Sequence, residues 1–309
     1  MSLQLPVVCI CPGSILLKLY CTSIARRFTS NICTAMTSVS AETVRRPPTK
    51  CIILTSQRSG SVFLQKYLQS HPEICCHGEV LLGLGGPAGC EPPGFLNRHR
   101  RSRLAWAWIF SGAAIFPNRV IDRTLEASPD SGAVAFRGMY NQLQRESIVN
   151  HLLEIPDLKV IHLMRDDLLR QYVSRKQMHH RYNLHGKGSA HTNKPIKLNA
   201  ISISPSAALA EMTFMARSRE KLHQAFENNG NEILTLHYER LLGGGTVEEV
   251  DRKRLCEFLG VSDFEMTSNL VKMSKAPLEE VVDNFEDLKA AVQASEFAPL
   301  LTAPEPALA

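Results

Sequence analysis

Arg58-Ser59-Gly60-Ser61 places a guanidinium, two hydroxyls and a conformationally free glycine in consecutive positions. Such a loop suits an oxyanion. The guanidinium donates as a planar fork, and a helix starting behind the loop turns its first N–H groups toward the same point. A second set lies about a hundred residues on: Arg165, then Ser174 nine positions later. Arg137, in Ala135-Phe136-Arg137-Gly138-Met139-Tyr140, is a third candidate cation, and Lys272 near the end of the chain a fourth. The first loop and the strand end at Arg165 each suit a phosphate- or sulfate-bearing ligand. The loop is not a Walker A motif, because G-x-x-x-x-G-K-[ST] is absent. Were such a ligand to pass a group to a hydroxyl, a base would also be needed. Glu79 is the first candidate, then Glu73, with His71 and His77 as alternatives and His99 and His162 behind them.

The flanking patterns say which elements carry these groups. Cys51 to Thr55 is an uncharged, β-branched run, the mark of a strand buried on both faces. Val62, Phe63, Leu64, Tyr67 and Leu68 then recur at helical spacing. Leu158 to Met164 reads as a second buried strand ending at Arg165, and Leu168, Leu169, Tyr172 and Val173 as the next helix. Asp166 is the expected N-cap, with Asp167 in the first turn. Further strands are expected near 132 and 233, and a helix over 205–228. A single helix after Pro277 is expected to use Leu278, Val281, Val282, Phe285, Leu288 and Val292 as its stripe. The fold class is α/β: a P-loop-like, mainly parallel sheet flanked by helices. Ligands of such sheets bind beyond the carboxyl ends of the strands, where Arg58 and Arg165 fall.

The segments "TSQRSGSVFLQKYLQSHPEI" and "HLMRDDLLRQYVSRKQ" resemble the two donor-binding signatures of sulfotransferases that use 3′-phosphoadenylyl sulfate. "AFRGMYNQL" is similar to that family's GFK-x-x-Y-x-Q segment, with Arg137 where Lys is usual, and "HYERL" to its Y-E-x-L step. The resemblance covers about 51–294, and the step of nine from Arg165 to Ser174 resembles the bacterial and carbohydrate branch. It implies a single sulfotransferase-type domain. Arg58, Ser59, Gly60 and Ser61 would hold the 5′-phosphosulfate, Arg165 and Ser174 the 3′-phosphate, with Lys272 near the donor phosphates. Arg58 and Arg137 would neutralise the leaving group, and Glu79 would act as base. The implied donor is 3′-phosphoadenylyl sulfate, with no metal required. The acceptor would be a small molecule or glycan bearing a hydroxyl or amine. A P-loop-like kinase and an inactive nucleotide-binding scaffold are the competing readings.

Composition agrees with a globular chain of this kind. The 309 residues are 44% hydrophobic and 21% charged, outside the disordered class. A net charge of +5 is too small to imply nucleic acid and suits an anionic small molecule. The nine cysteines show no C-x-x-C pair or zinc spacing and read as small apolar side chains in a reducing compartment. Arg98, His99, Arg100, Arg101 and Arg103 precede Trp106 and Trp108, and 179–200 is rich in His and Lys. Both stretches suit a polar or anionic acceptor. Before Pro47-Pro48, Lys18, Arg26, Arg27, Arg45 and Arg46 face Glu42 as the one acid. The apolar run Leu3–Leu19 is broken by Pro6, Pro12 and Gly13, and is shorter than the ~20 residues of a membrane span. A transit peptide, an unstructured extension and a Golgi-type anchor all fit this stretch, and Met36 is an alternative start. The expected organisation is 1–48 as a flexible extension and candidate targeting segment, 49–298 as the domain and 299–309 as a flexible tail. Membrane association and oligomeric state are left open.

Overall fold

The computed structural model describes residues 46–81, 116–185, 199–243, 247–270 and 276–302. Lys272, His99, the basic cluster with Trp106 and Trp108, residues 186–198 and nearly all of the extension lie outside the described residues. Contacts divide the chain into two units, Met1–Arg46 and Pro47–Ala309, and the sheet with its helices belongs to the second. Among the described residues no helix is long and apolar enough to cross a membrane.

The elements run β1 (Thr49–Thr55), α1 (Ser61–Gln69), β2 (Ile74–Glu79), α2 (Pro117–Leu125), β3 (Ala133–Met139), α3 (Glu146–Glu154), β4 (Lys159–Met164), α4 (Leu168–His185), α5 (Pro205–Asn228), β5 (Ile233–His237), α6 (Tyr238–Gly243), α7 (Glu249–Leu259), α8 (Leu278–Val281) and α9 (Phe285–Gln293). The five strands form one parallel sheet in the order β2-β3-β1-β4-β5. This is the expected α/β fold, with β1 at the centre. Cys51 to Thr55 are wholly buried, because successive side chains enter opposite cores. Cys51 and Ile53 join Leu64, Leu68 and Leu255 on the face covered by α1 and α7. Ile52 and Leu54 join Ile148, Leu152 and Phe226 on the face covered by α3 and α5. Each such aliphatic side chain contributes about 1.5–3 kcal/mol by leaving water.

A third core joins α4, α5, α8 and α9 through Tyr172, Met212, Val282 and Leu288. Here the expected single helix after Pro277 is two. Val282 takes extended angles (φ −128°, ψ 112°) and bridges to Ile201, so the chain breaks and restarts at Phe285. The apolar stripe survives the break, since Val281, Val282, Phe285, Leu288 and Val292 all reach the same core. A 3-10 turn at Ala298–Leu301 brings Leu300 and Leu301 against it too, so the first residues of the expected tail are packed.

Candidate anion site at the carboxyl ends of the strands

The strand order sets the position of the site. From β1 the chain turns by way of α1 toward β2, on one side; from β4 it turns by way of α4 toward β5, on the other. The loops after these two neighbouring strands therefore diverge and leave a crevice at the sheet's switch point. Arg58 stands on one loop and Arg165 on the other.

Backbone geometry shapes the first loop. Arg58 and Gly60 both have positive φ, 66° and 82°. Gly60 adopts this freely, whereas Arg58 carries strain of about 1–3 kcal/mol that neighbouring contacts must offset. Those contacts come from α4 and β4. Gln171 Nε2 donates to Ser56 Oγ at 2.6 Å and to the Gln57 carbonyl at 2.7 Å. Arg165 Nη1 donates to the Arg58 carbonyl at 3.0 Å, and Arg58 Nε to Ser174 Oγ at 3.0 Å. Thr55 Oγ1 donates to the Leu163 carbonyl at 2.9 Å, tying the two strand ends together. No side chain caps α1, whose first turn opens behind Gly60. The Ser59 hydroxyl is fully buried against Thr55 Oγ1 and the Ser56 carbonyl, so the backbone of Ser59, not its hydroxyl, is what the loop can offer a ligand.

Charge accumulates at this point. Burial, and then the nearby Arg165 and Arg181 charges, push the Arg58 guanidinium down to about 10, still protonated at neutral pH. The Arg165 guanidinium lies over the Tyr238 ring, 4.6 Å from its centroid. Its Nε has no hydrogen bond among the described residues, and Glu239 lies 3.9 Å away. Glu239 is occupied elsewhere: it accepts from the N–H groups of Asp166 (3.1 and 3.2 Å) and Asp167 (3.2 Å). The N-cap of α4 is Asp167, which accepts from the Arg170 N–H at 2.8 Å. Asp166, expected in that role, instead pairs with His237 at 2.8 Å and Arg219 at 3.8 Å.

A second group adjoins the first through Ser61. Arg137, on β3, donates from Nη1 to Ser61 Oγ at 3.2 Å. Its Nη2 lies 3.7 Å from Glu79 Oε1 on the neighbouring strand, where the two residues are register partners. All three are buried, Glu79 at 5% exposure and Arg137 at 3%. Gly138 leaves room for the Ile52 side chain here, for a Cβ would stand 2.8 Å from Ile52 Cδ1. Gln142 completes the group, donating from Nε2 to Glu79 Oε2 at 2.9 Å.

The other candidate bases sit elsewhere. His71 and Glu73 precede β2, at the amino end of the sheet. Both bind Ser262: His71 Nε2 donates to its carbonyl at 2.9 Å, and Glu73 accepts its N–H and hydroxyl at 2.9 and 3.1 Å. His77 lies in β2 beside Cys75 Sγ at 3.4 Å, and burial lowers it to about 4. His162 is wholly buried between Tyr140 Oη (2.8 Å) and His223 Nδ1 (3.1 Å), and burial, then His223, lower it to about 3. Reasoning from sequence did not find the strand that carries Glu79, nor the roles of Gln142 and Gln171. The GFK-x-x-Y-x-Q likeness was the one signal for Gln142.

No family model and no curated protein matches the chain. Among solved structures, a sulfotransferase from Alicyclobacillus acidocaldarius is 15% identical, covering 84% of this chain and 94% of that one, with a TM-score of 0.43. The sulfotransferase domain from the curacin biosynthetic pathway is 16% identical over 85% and 86%, TM-score 0.44. A mouse sulfotransferase complexed with PAP is 13% identical over 82% and 88%, TM-score 0.37.

Proposed function

We propose that this protein is a sulfotransferase that moves the sulfuryl group of 3′-phosphoadenylyl sulfate to a hydroxyl, or an amine, of an acceptor. The carrying observation is that Arg58, Arg165 and Ser174 meet across the switch-point crevice, with the uncapped start of α1 beside them. Such clustered cations favour a ligand with two anionic groups over one with a single charge. Arg165 and Ser174 would hold the 3′-phosphate. The Ser59–Ser61 backbone and Arg58 would hold the 5′-phosphosulfate, with Lys272 a further proposed contact.

In the transfer the acceptor oxygen bonds to sulfur as the bond from sulfur to the bridging phosphate oxygen breaks. The electron pair stays on the phosphate, and the acceptor proton passes to Glu79. Arg58 and Arg137 offset the charge that grows on the leaving phosphate, each a contact worth roughly 3 kcal/mol in the transition state. The Arg137–Ser61 hydrogen bond supports this assignment, since it sets the guanidinium against the first residue of α1. The proposed acceptor is a carbohydrate or glycolipid. Support for it is the basic, Trp-containing and His-rich composition of the stretches around 98–108 and 179–200.

Calorimetry tests the reading directly. The protein should bind 3′-phosphoadenosine 5′-phosphate in preference to ATP with magnesium; the reverse preference would point to a kinase. A labelled-donor screen over sugars, glycolipids, phenols and sterols then identifies the acceptor. Glu79→Gln should keep bisphosphate affinity while lowering transfer to a hydroxyl by roughly 10²–10⁴-fold. Transfer at the wild-type rate would remove Glu79 as base.

A further inference from the structure

We propose that Gln142 is a positioning residue that orients the Glu79 carboxylate and so decides which of its oxygens takes the acceptor's proton. The inference rests on the reading of Glu79 as base. Gln142 follows β3 and is 3% exposed. Its amide has one possible orientation. The Met139 N–H donates to Gln142 Oε1 at 3.1 Å, so Oε1 is the acceptor end and Nε2 must face the other way. Nε2 there donates to Glu79 Oε2 at 2.9 Å. One carboxylate oxygen is thereby engaged in a hydrogen bond. The other, Oε1, faces Arg137 Nη2 at 3.7 Å, an ion-pair distance beyond hydrogen-bond reach. The two partners differ in kind: Gln142 fixes the plane of the carboxylate, while Arg137 balances its charge. Oε1 is then the oxygen held for the proton. The chain of orientation runs from a strand-end backbone N–H through one amide to the base, and it needs both ends of a Gln side chain.

Two substitutions separate orientation from packing. Gln142→Glu keeps an acceptor for the Met139 N–H but sets a carboxylate against Glu79. Gln142→Met keeps the length and removes the donor. Each is made in the wild type and in the Glu79→Gln background. Binding of 3′-phosphoadenosine 5′-phosphate is measured by calorimetry. Turnover is measured as loss of label from 3′-phosphoadenylyl [³⁵S]sulfate to water and to p-nitrophenyl β-D-galactoside. The expected result is unchanged bisphosphate affinity and a turnover loss of roughly 10–100-fold for either variant, with KM for the donor unchanged. The acid limb of the turnover–pH profile of Gln142→Glu should move to higher pH, because two facing carboxylates hold a shared proton. In the Glu79→Gln background neither substitution should slow turnover further, since the residue acts through Glu79.

Equal losses in both backgrounds, or an unmoved acid limb, would overturn the proposal and leave Gln142 a packing residue. Wild-type turnover in both Gln142 variants, with Glu79→Gln slow, would overturn it while sparing the base. Wild-type turnover in Glu79→Gln alone would overturn the base assignment first, and a wild-type protein that binds the bisphosphate but releases no label to water or to any acceptor of the donor screen would overturn transfer itself. Should Gln142→Glu fail to fold, Gln142→Met decides through the double-mutant comparison.

Discussion

Arg165 illustrates how far single residues can be read from sequence. A cation ending a buried strand, with Ser174 nine positions on, is visible as a pattern, and in the fold both contact Arg58. The company they keep is not visible there. The family likeness assigns Arg58 and Arg165 to opposite ends of the donor, yet Arg165 holds the Arg58 carbonyl and Arg58 holds Ser174. Those contacts join residues more than a hundred positions apart, and no local periodicity encodes them. A consequence can be measured. Arg165→Ala should weaken 3′-phosphoadenosine 5′-phosphate by about 2–5 kcal/mol, the cost of losing a desolvated charge contact, and should erase its preference over adenosine 5′-phosphate. Arg58→Ala should also reduce that preference, because its guanidinium touches Ser174. Calorimetric titration of both nucleotides against both variants checks this, and an intact preference in Arg165→Ala would remove that residue from the proposed 3′-phosphate site.

At the scale of elements, patterns with strong periodicity are legible and short or mixed ones are not. The helix expected over 205–228 is α5, Pro205–Asn228. β2 escapes a sequence reading because Ile-Cys-Cys-His-Gly-Glu alternates nothing and carries a single β-branched residue. The break at Val282 escapes it because an apolar stripe is blind to a bridge with distant Ile201. Likewise the pattern of α4 shows a helix that presents Ser174, but the folded helix also clamps the first loop through Gln171, which is 1% exposed. Gln171→Leu strips the Ser56 hydroxyl and Gln57 carbonyl of their donor without changing the helix. Stability should fall by about 1–3 kcal/mol, and bisphosphate affinity should fall with it, since the strained Arg58 backbone loses its support. Denaturant unfolding and calorimetry of one preparation test this; a stability loss with full affinity would show that the loop holds its shape unaided.

The whole molecule answers to pH through two buried histidines. His162 and His77 titrate at about 3 and about 4 when folded, against about 6.5 in an unfolded chain. Between those values the unfolded chain binds the extra protons, so stability is complete above pH ~6.5 and declines as pH falls toward the folded values. Each residue removes at most about 1.4 kcal/mol per pH unit across that window. His162 packs against Tyr140 and His223 within the electrostatic reach of Arg219 and His237, and burial and like charge act in the same direction on it. His162→Gln should therefore cost stability at pH 7.5 yet lose less between pH 6.5 and 5 than the wild type. Guanidinium chloride unfolding at pH 7.5, 6.5 and 5 measures both slopes, and identical slopes would show that His162 does not drive the decline.

The cluster of Arg58 and Arg165 has a consequence for any solution the protein is kept in. Guanidinium groups held this close, beside an uncapped helix start, do not distinguish the phosphate of a nucleotide from the phosphate of a buffer. An inorganic anion that occupies the crevice stabilises the fold by mass action, about 2.7 kcal/mol when present at a hundred times its dissociation constant. The same occupancy competes with the nucleotide and lowers its apparent affinity in proportion. A protein kept in phosphate or sulfate would thus look sturdier and bind less well than the same protein in a zwitterionic amine buffer, with no change in any residue.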